Sequence, residues 1–516
     1  MQLAVANVGD QGVDGVAPKV DSSETAWARV AHRPRKGTAT AFNIGAMAEI
    51  ETRVLTRIER DSMGEIEVPA DALYGASTQR AVINFPISGQ RFPRHFIRAQ
   101  ALIKRAAAEV NGELGLIAAD KAAAISAAAQ EVADGGYDDH FPIDVYQTGS
   151  GTSTNTNFNE VIAHLASRRL SGSTVHPNDD VNLCQSSNDT IPTAMQLSAA
   201  RAIEEELIPS LERLLAALSR KSAEFMPIVK TGRTHLQDAT PIRLGQEFAG
   251  YAGQVEESIR RARQARDELT VVPLGGTAVG TGINAHPDYA RKACPRLAEL
   301  TGLDVRETPN HFHAQAAMDA VIAAHGALRT IALSLWKIAS DVRLMGMGPR
   351  AGLAELALPE TQPGSSIMPG KVNPVIVESL TMVVARVVGN DTTVGFCQTG
   401  SLLELNVMMP VAAVAMLESI TLLANSARNF SERCIEGVQA TERGPELVEK
   451  GLMLATAFAP VIGYDEAARM AKEAFRTGKT IRELARDRGF SEEELDRIID
   501  PAKLAEPGLG SRSAGG

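Results

Sequence analysis

Three apolar stripes at helical spacing set the strongest limit on what this chain can fold into. One runs through Ile203, Leu207, Leu211, Leu214, Leu215 and Leu218. A second takes in Leu244, Phe248, Tyr251, Val255 and Ile259, and a third Leu328, Ile331, Leu335, Ile338 and Val342. Each recurs every three or four residues and so marks one buried face of a helix. Long helices of this kind must cover their stripes on one another. A mostly α fold with a long central helix bundle, much of it buried between subunits, is therefore expected. Aromatics are only 4% of the 516 residues. Ala, Leu and Val dominate, which favours helix. A chain this long exceeds one ordinary core, so two or three domains are expected.

The net charge of −10 argues against a nucleic-acid partner. An anionic small molecule would need a local basic site within an acidic protein. No apolar run reaches the roughly 18 residues that would suggest a membrane span, so no membrane partner is expected. The four cysteines, Cys184, Cys294, Cys397 and Cys434, are spaced for neither zinc nor a disulfide framework. A reducing, cytoplasmic location is the simple expectation, with no metal.

Between the helical stretches lie polar links with unusual composition. The densest is QPGSSIMPGKVNPVIVE, from Gln362 to Glu378. Gly364 and Gly370 free its backbone while Pro363, Pro369 and Pro374 limit it, which predicts a loop of defined shape. Asn373-Pro374 reads as an N-cap followed by a first-turn proline. The helix it opens has its apolar face at Leu380, Val383, Val384, Val387 and Val388. Lys371 lies just before that N-terminus, where anions are favoured. Taken alone, the stretch is equally a helix connection with an ordinary surface lysine. GGTAVGTGIN, Gly275 to Asn284, lacks the strand–loop–helix setting of a dinucleotide fold and reads as a tight turn where backbones approach closely. His176 with Asp179 and Asp180 gives no convincing ligand set and reads as a surface turn.

GSSIMPGKVNP, Gly364 to Pro374, closely resembles the signature of the fumarase/aspartase superfamily, and of its class II fumarase and aspartase branch in particular. Four further stretches are similar to that family: SGT at Ser150, Gly151 and Thr152; HPND at His176, Pro177, Asn178 and Asp179; SSN at Ser186, Ser187 and Asn188; and TGRTHLQDATP around Thr234 and His235. The resemblance covers about residues 58 to 508. It implies a three-domain, mostly helical subunit and a homotetramer whose active sites are each shared by three subunits. It also implies a small dicarboxylate substrate and no cofactor.

By the same resemblance Ser365 is the catalytic base and His235 works with Glu378. The substrate is bound by Ser150, Gly151, Thr152, Ser186, Ser187, Asn188, Thr234, Ser366, Lys371, Val372 and Asn373. The chemistry suits those types. Removing a proton beside a carboxylate puts two negative charges on that carboxylate, which fixed cations and N–H donors must hold. A serine can act as base only if its alkoxide is stabilised by the same positive field. The family uses the HPND element as a second anion site, with an arginine just upstream. Here that loop is short, LSGSTV, and Ser173 falls near the arginine's place.

The implied activity is reversible hydration of fumarate to L-malate. HPNDDVN and the serine at 187 favour it. Aspartate ammonia-lyase is the alternative, since LELNVMMPV and the late PAKLAEPGLG resemble aspartases. A structural protein on the same scaffold is a third reading, opposed by the complete set of site residues. The expected domains are an N-terminal lyase domain at 58–185, a central bundle at 186–440 and a small helical domain at 441–516. Residues 1–57 are expected to be a disordered extension. A faint transit-peptide flavour in Arg29, Arg33, Arg35 and Lys36 is opposed by Asp10, Asp14, Asp21 and Glu24.

Overall fold

The computed structural model describes residues 55–507. Up to residue 54 the expectation for the extension lies outside the described residues, while Thr56 and Arg57, also counted in it, belong to the first strand.

A hairpin opens the described chain, with β1 (Thr56–Asp61) and β2 (Gly64–Pro69) antiparallel. Six helices follow: α1 (Ala76–Asn84), α2 (Arg94–Glu113), α3 (Ala119–Asp134), α4 (Thr152–Ser167), α5 (Ser187–Ala202) and α6 (Ile208–Phe225). The Ala-rich stretch from Arg91 to Asp134 thus forms two helices. They part at Gly115 and the second stops at Gly135, both with positive φ. A second hairpin, β3 (Val229–Thr234) and β4 (Gln237–Arg243), leads into α7 (Leu244–Glu268), α8 (Tyr289–Thr301), α9 (His311–Ala316) and α10 (Asp319–Met345). The remaining long helices are α11 (Val375–Cys397) and α12 (Met409–Phe430). Short helices between Arg443 and Leu504 end the described chain.

The bundle is α5, α6, α7, α10, α11 and α12, packed as neighbours along their lengths. The second and third stripes are buried in full, as the spacing predicts. In the first, Leu215 is half-buried, and a wider helical turn at Ile203–Leu207 separates α5 from α6. On α11 the buried face is Val377, Leu380, Val384, Val387 and Val394. Val383 is half-buried and Val388 exposed, so the face lies slightly round from its expected place. Apolar side chains form one cluster from Val68 to Val438 and a separate one from Val448 to Ile499.

The link carrying His235 is a β-hairpin. A short hairpin precedes the last long helix. In it Ser401–Leu402 pairs with Leu405–Asn406, and α12 starts at Met409 with Pro410 in its first turn. In addition, α10 and the span Met409–Ile435 are long and apolar enough to cross a bilayer by length and composition, although charged residues interrupt the runs. Two-thirds of the latter's most apolar window is buried inside the protein, at 67%, as a bundle core requires.

Candidate active site

Two helix N-termini meet at a row of hydroxyls. Gly151 caps α4 with φ 70°, and a Cβ there would lie 2.9 Å from the Ile191 side chain of α5. Only glycine suits both conditions. Ser186 caps α5, its Oγ accepting the Asn188 N–H at 3.2 Å. Asp189 returns the bond, its Oδ1 accepting the Ser186 N–H at 2.9 Å. Ser150 Oγ lies 2.8 Å from Thr152 Oγ1, which lies 2.9 Å from Ser187 Oγ. Ser187 in turn donates to Asn188 Oδ1 at 3.2 Å. The structure therefore joins the SGT and SSN elements into one surface. The positive ends of α4 and α5 both face it, which suits a carboxylate. The Ser186 hydroxyl stands apart, since its oxygen is engaged as the cap.

The backbone of Gly149 is wedged against the segment after the short hairpin. Met409 N donates to Gly149 O at 3.0 Å, and a Cβ on Gly149 would fall 1.7 Å from Val407 O. That contact seats the SGT turn on the start of α12.

Beneath the row lies a buried polar network. Lys104 of α2 donates to Asn182 Oδ1 at 3.1 Å and Gln185 Oε1 at 3.0 Å. Asn155 of α4 donates to the same Asn182 oxygen at 3.0 Å. Burial pushes Lys104 down to about 7, with the charge of Asp189 opposing the shift. Burial pushes Asp189 up to about 6, against the N–H groups of Ser186, Thr277 and Gly275 and the charge of Lys104. Sequence reasoning missed Lys104 and Asp189. Single charged residues among alanines, or just after an SSN element, carry no signal of burial.

The serine loop has a defined shape. Gly364 N donates to Lys371 O at 2.8 Å, and a Cβ on Gly364 would lie 2.3 Å from that same oxygen. Lys371 N donates to Met368 O at 3.2 Å across a turn with Pro369 and then Gly370 at φ 77°. This is the order a type II turn demands. Ser365 Oγ accepts the backbone N–H of Ile367 at 3.3 Å and of Met368 at 3.0 Å. Ser366, Lys371 and Val372 are exposed. Asn373 departs from expectation. Its Nδ2 donates to Gly364 O at 2.7 Å, closing the loop, and Pro374 takes the cap position of α11. With Nδ2 turned to Gly364, Asn373 lies one residue before the cap.

Thr234 and His235 sit at the exposed tip of the β3–β4 hairpin. His235 and Leu236 have φ of 55° and 58°, a left-handed pair that two-residue hairpins usually fill with Asn-Gly. Glu378 is exposed on the first turn of α11. Among the described residues no side-chain hydrogen bond joins His235 to Glu378, or either of them to the hydroxyl row. The chain gathers SGT with SSN, and separately builds the serine loop and the His235 hairpin.

His176 caps the turn Pro177–Val181, its Nδ1 accepting from Asn178 N at 3.3 Å and Asp179 N at 3.0 Å. Asp180 is held by Lys121 at 2.8 Å. The element is a surface turn beside a cleft of about 800 Å³ that Arg57, Arg60, His164 and Arg168 also line.

Residues 64–389 match the lyase family, and residues 454–506 match the family described as the fumarase C C-terminus. The chain is 51% identical over 463 residues to a class II fumarate hydratase from Bradyrhizobium diazoefficiens, covering 88% of this chain and 98% of that relative. It is 52% identical over 457 residues to one from Mycobacterium tuberculosis, covering 87% and 96%. The crystal structure of a class II fumarase from Schistosoma mansoni matches with a TM-score of 0.85 at 39% identity, covering 87% of this chain and 99% of that one.

Proposed function

The chain belongs to the lyase family and within it to the class II fumarate hydratases, and we propose from that membership the reaction and the residues that perform it. The reaction is reversible hydration of fumarate to L-malate by anti addition of water. Aspartate ammonia-lyase is not favoured, because the relatives reported above are fumarate hydratases.

In the malate-to-fumarate direction, Ser365 as alkoxide takes a proton from the carbon beside one carboxylate. The electron pair moves into that carboxylate, giving a doubly charged aci form. The pair then returns to form the double bond as the hydroxyl on the neighbouring carbon leaves. His235, backed by Glu378, supplies the proton that turns this hydroxyl into water. Lys371, Asn373 and Thr234 hold one end of the substrate; Thr152, Ser187 and Asn188 hold the other. The observation that carries this reading is the pair of backbone N–H groups directed at Ser365 Oγ. They stabilise an alkoxide where water would not. We assign no step to the His176–Asp179 turn.

The reading requires a homotetramer in which the SGT–SSN surface, the His235 hairpin and the serine loop come from three different chains. It is supported by the exposure of His235, Lys371 and Glu378 in one chain. A cytoplasmic location accords with the four cysteines, all buried and unpaired. The test gives purified protein L-malate and L-aspartate separately and follows fumarate by absorbance. Faster release of fumarate from aspartate would overturn the reaction.

A further inference from the structure

The glycine loop that follows α7 is built for more than turning the chain. Gly275, Thr277, Gly280, Gly282 and Asn284 all have positive φ. Two buried side chains rivet the loop to the SSN element. Asp189 Oδ2 accepts the N–H of Gly275 at 3.1 Å and of Thr277 at 2.9 Å, while its other oxygen holds Ser186. Gln315 of α9 donates to Thr277 O at 2.7 Å and to Asn188 O at 3.3 Å. The fit is close at Gly276, where a Cβ would meet Gln315 Oε1 at 2.1 Å.

The result of this clamping emerges one residue later. Ala278 O accepts from Asn188 Nδ2 at 2.8 Å. That bond decides which way the Asn188 carboxamide points, since the flipped amide would set oxygen against oxygen. With Nδ2 on Ala278, Oδ1 faces Ser187 and takes its hydroxyl proton. A hydroxyl has one proton, so the direction then passes down the row. Thr152 donates to Ser187, and Ser150 donates to Thr152. One N–H of Asn188 is left for a ligand.

We propose that the Gly275–Gly282 loop is a further segment of the substrate site, and that Asp189 and Gln315 are positioning residues that set the Asn188 carboxamide through the Ala278 carbonyl. The clamped loop presents one Asn188 amide N–H, beside the N-termini of α4 and α5, to a substrate carboxylate. This rests on the reading of Thr152, Ser187 and Asn188 as carboxylate-binding. A merely structural clamp would change how much enzyme folds. A positioning clamp changes how tightly the folded enzyme holds its substrate.

The experiment uses the full chain in its assembled form. Gln315→Ala, Gly276→Ala and Asp189→Asn are compared with wild type in malate turnover. They are compared also in calorimetric binding of succinate, a four-carbon dicarboxylate that cannot eliminate water. Melting temperature and gel filtration report folding. The expected result is a rise of about tenfold or more in KM for malate and in Kd for succinate, with kcat changed far less, as when one charge-assisted hydrogen bond is lost. If Asp189→Asn does not fold, the other two variants decide. Wild-type KM and Kd in folded Gln315→Ala and Gly276→Ala would overturn the proposal, as would a fall in kcat alone. A wild type that binds succinate but turns over no malate, with variants that lose this binding, would overturn the reaction and leave the role of the loop standing.

Discussion

Ser365 and His235 differ in what holds them, and that difference separates their expected phenotypes. Ser365 sits half-buried under two backbone N–H groups, whereas His235 projects from a hairpin tip. Ser365→Ala removes the proposed base but leaves Lys371 and Asn373. Turnover should fall by about a hundredfold or more, or about 2.7 kcal/mol, with little change in substrate binding. His235→Asn should slow turnover but spare exchange of the carbon-bound proton of malate more than Ser365→Ala does. NMR of malate in deuterated water measures both, and the opposite order would exchange the two assignments. Asp189 makes a pH prediction. Its folded pKa, pushed up to about 6 by burial, lies above the ordinary value of 3.8. Between those limits the folded state binds the proton that the unfolded state has released, so this group's contribution falls as pH rises through that window. Lys104, the nearest charge named in that shift, keeps its proton throughout the same window. Tyr289, Cys184 and Cys294 feel the Asp189 charge as well, and all three are neutral in that window, burial raising them further from it. The stability of wild type relative to Asp189→Asn should therefore be greater at pH 4.5 than at pH 7, as read by paired melts.

At the scale of elements, the bundle carries a polar pin as well as apolar stripes. His325 of α10 is wholly buried, with Nδ1 3.0 Å from Asp391 of α11 and Nε2 2.9 Å from Ser419 of α12. Burial holds its pKa below the usual range, against the pull of Asp391. His325→Leu would leave Asp391 and Ser419 short of a partner and should cost about 1–3 kcal/mol in urea melts. None of this pin was legible beforehand, because a lone histidine among apolar residues has no period. The α7 and α10 stripes were legible in full, since burial there follows helical spacing alone. The β3–β4 hairpin was not. Its turn is His235-Leu236, and nothing in those residues announces a left-handed pair. Such conformations cost roughly 1–3 kcal/mol each and persist where the surroundings impose them, as at functional sites. Asn373 misled for a related reason: its residue type suits a cap, but the loop had a stronger use for its amide. Motifs named the residues proposed for the site, whereas Asp189, Gln315 and Lys104, packed around the SSN element, became visible only through burial and bond partners.

At the scale of the whole molecule, the outer faces of α10 and α11 leave large apolar groups in water. Leu333 and Trp336 are each 47% exposed, Met382 67% and Phe396 64%. Apolar area of this kind on the long helices of a bundle calls for a partner surface. Light scattering should give a mass near four times 54.9 kDa, and an active monomer would contradict the shared site. Sites shared between chains, as proposed, have a genetic consequence. Two defective alleles need not add up to a defective enzyme. A cell carrying one copy with Ser365→Ala and another with His235→Asn would assemble hybrids. Random mixing would give about a quarter of the sites an intact serine from one parent and an intact histidine from the other. Inheritance at this locus would then follow the geometry of assembly rather than the dosage of good polypeptide.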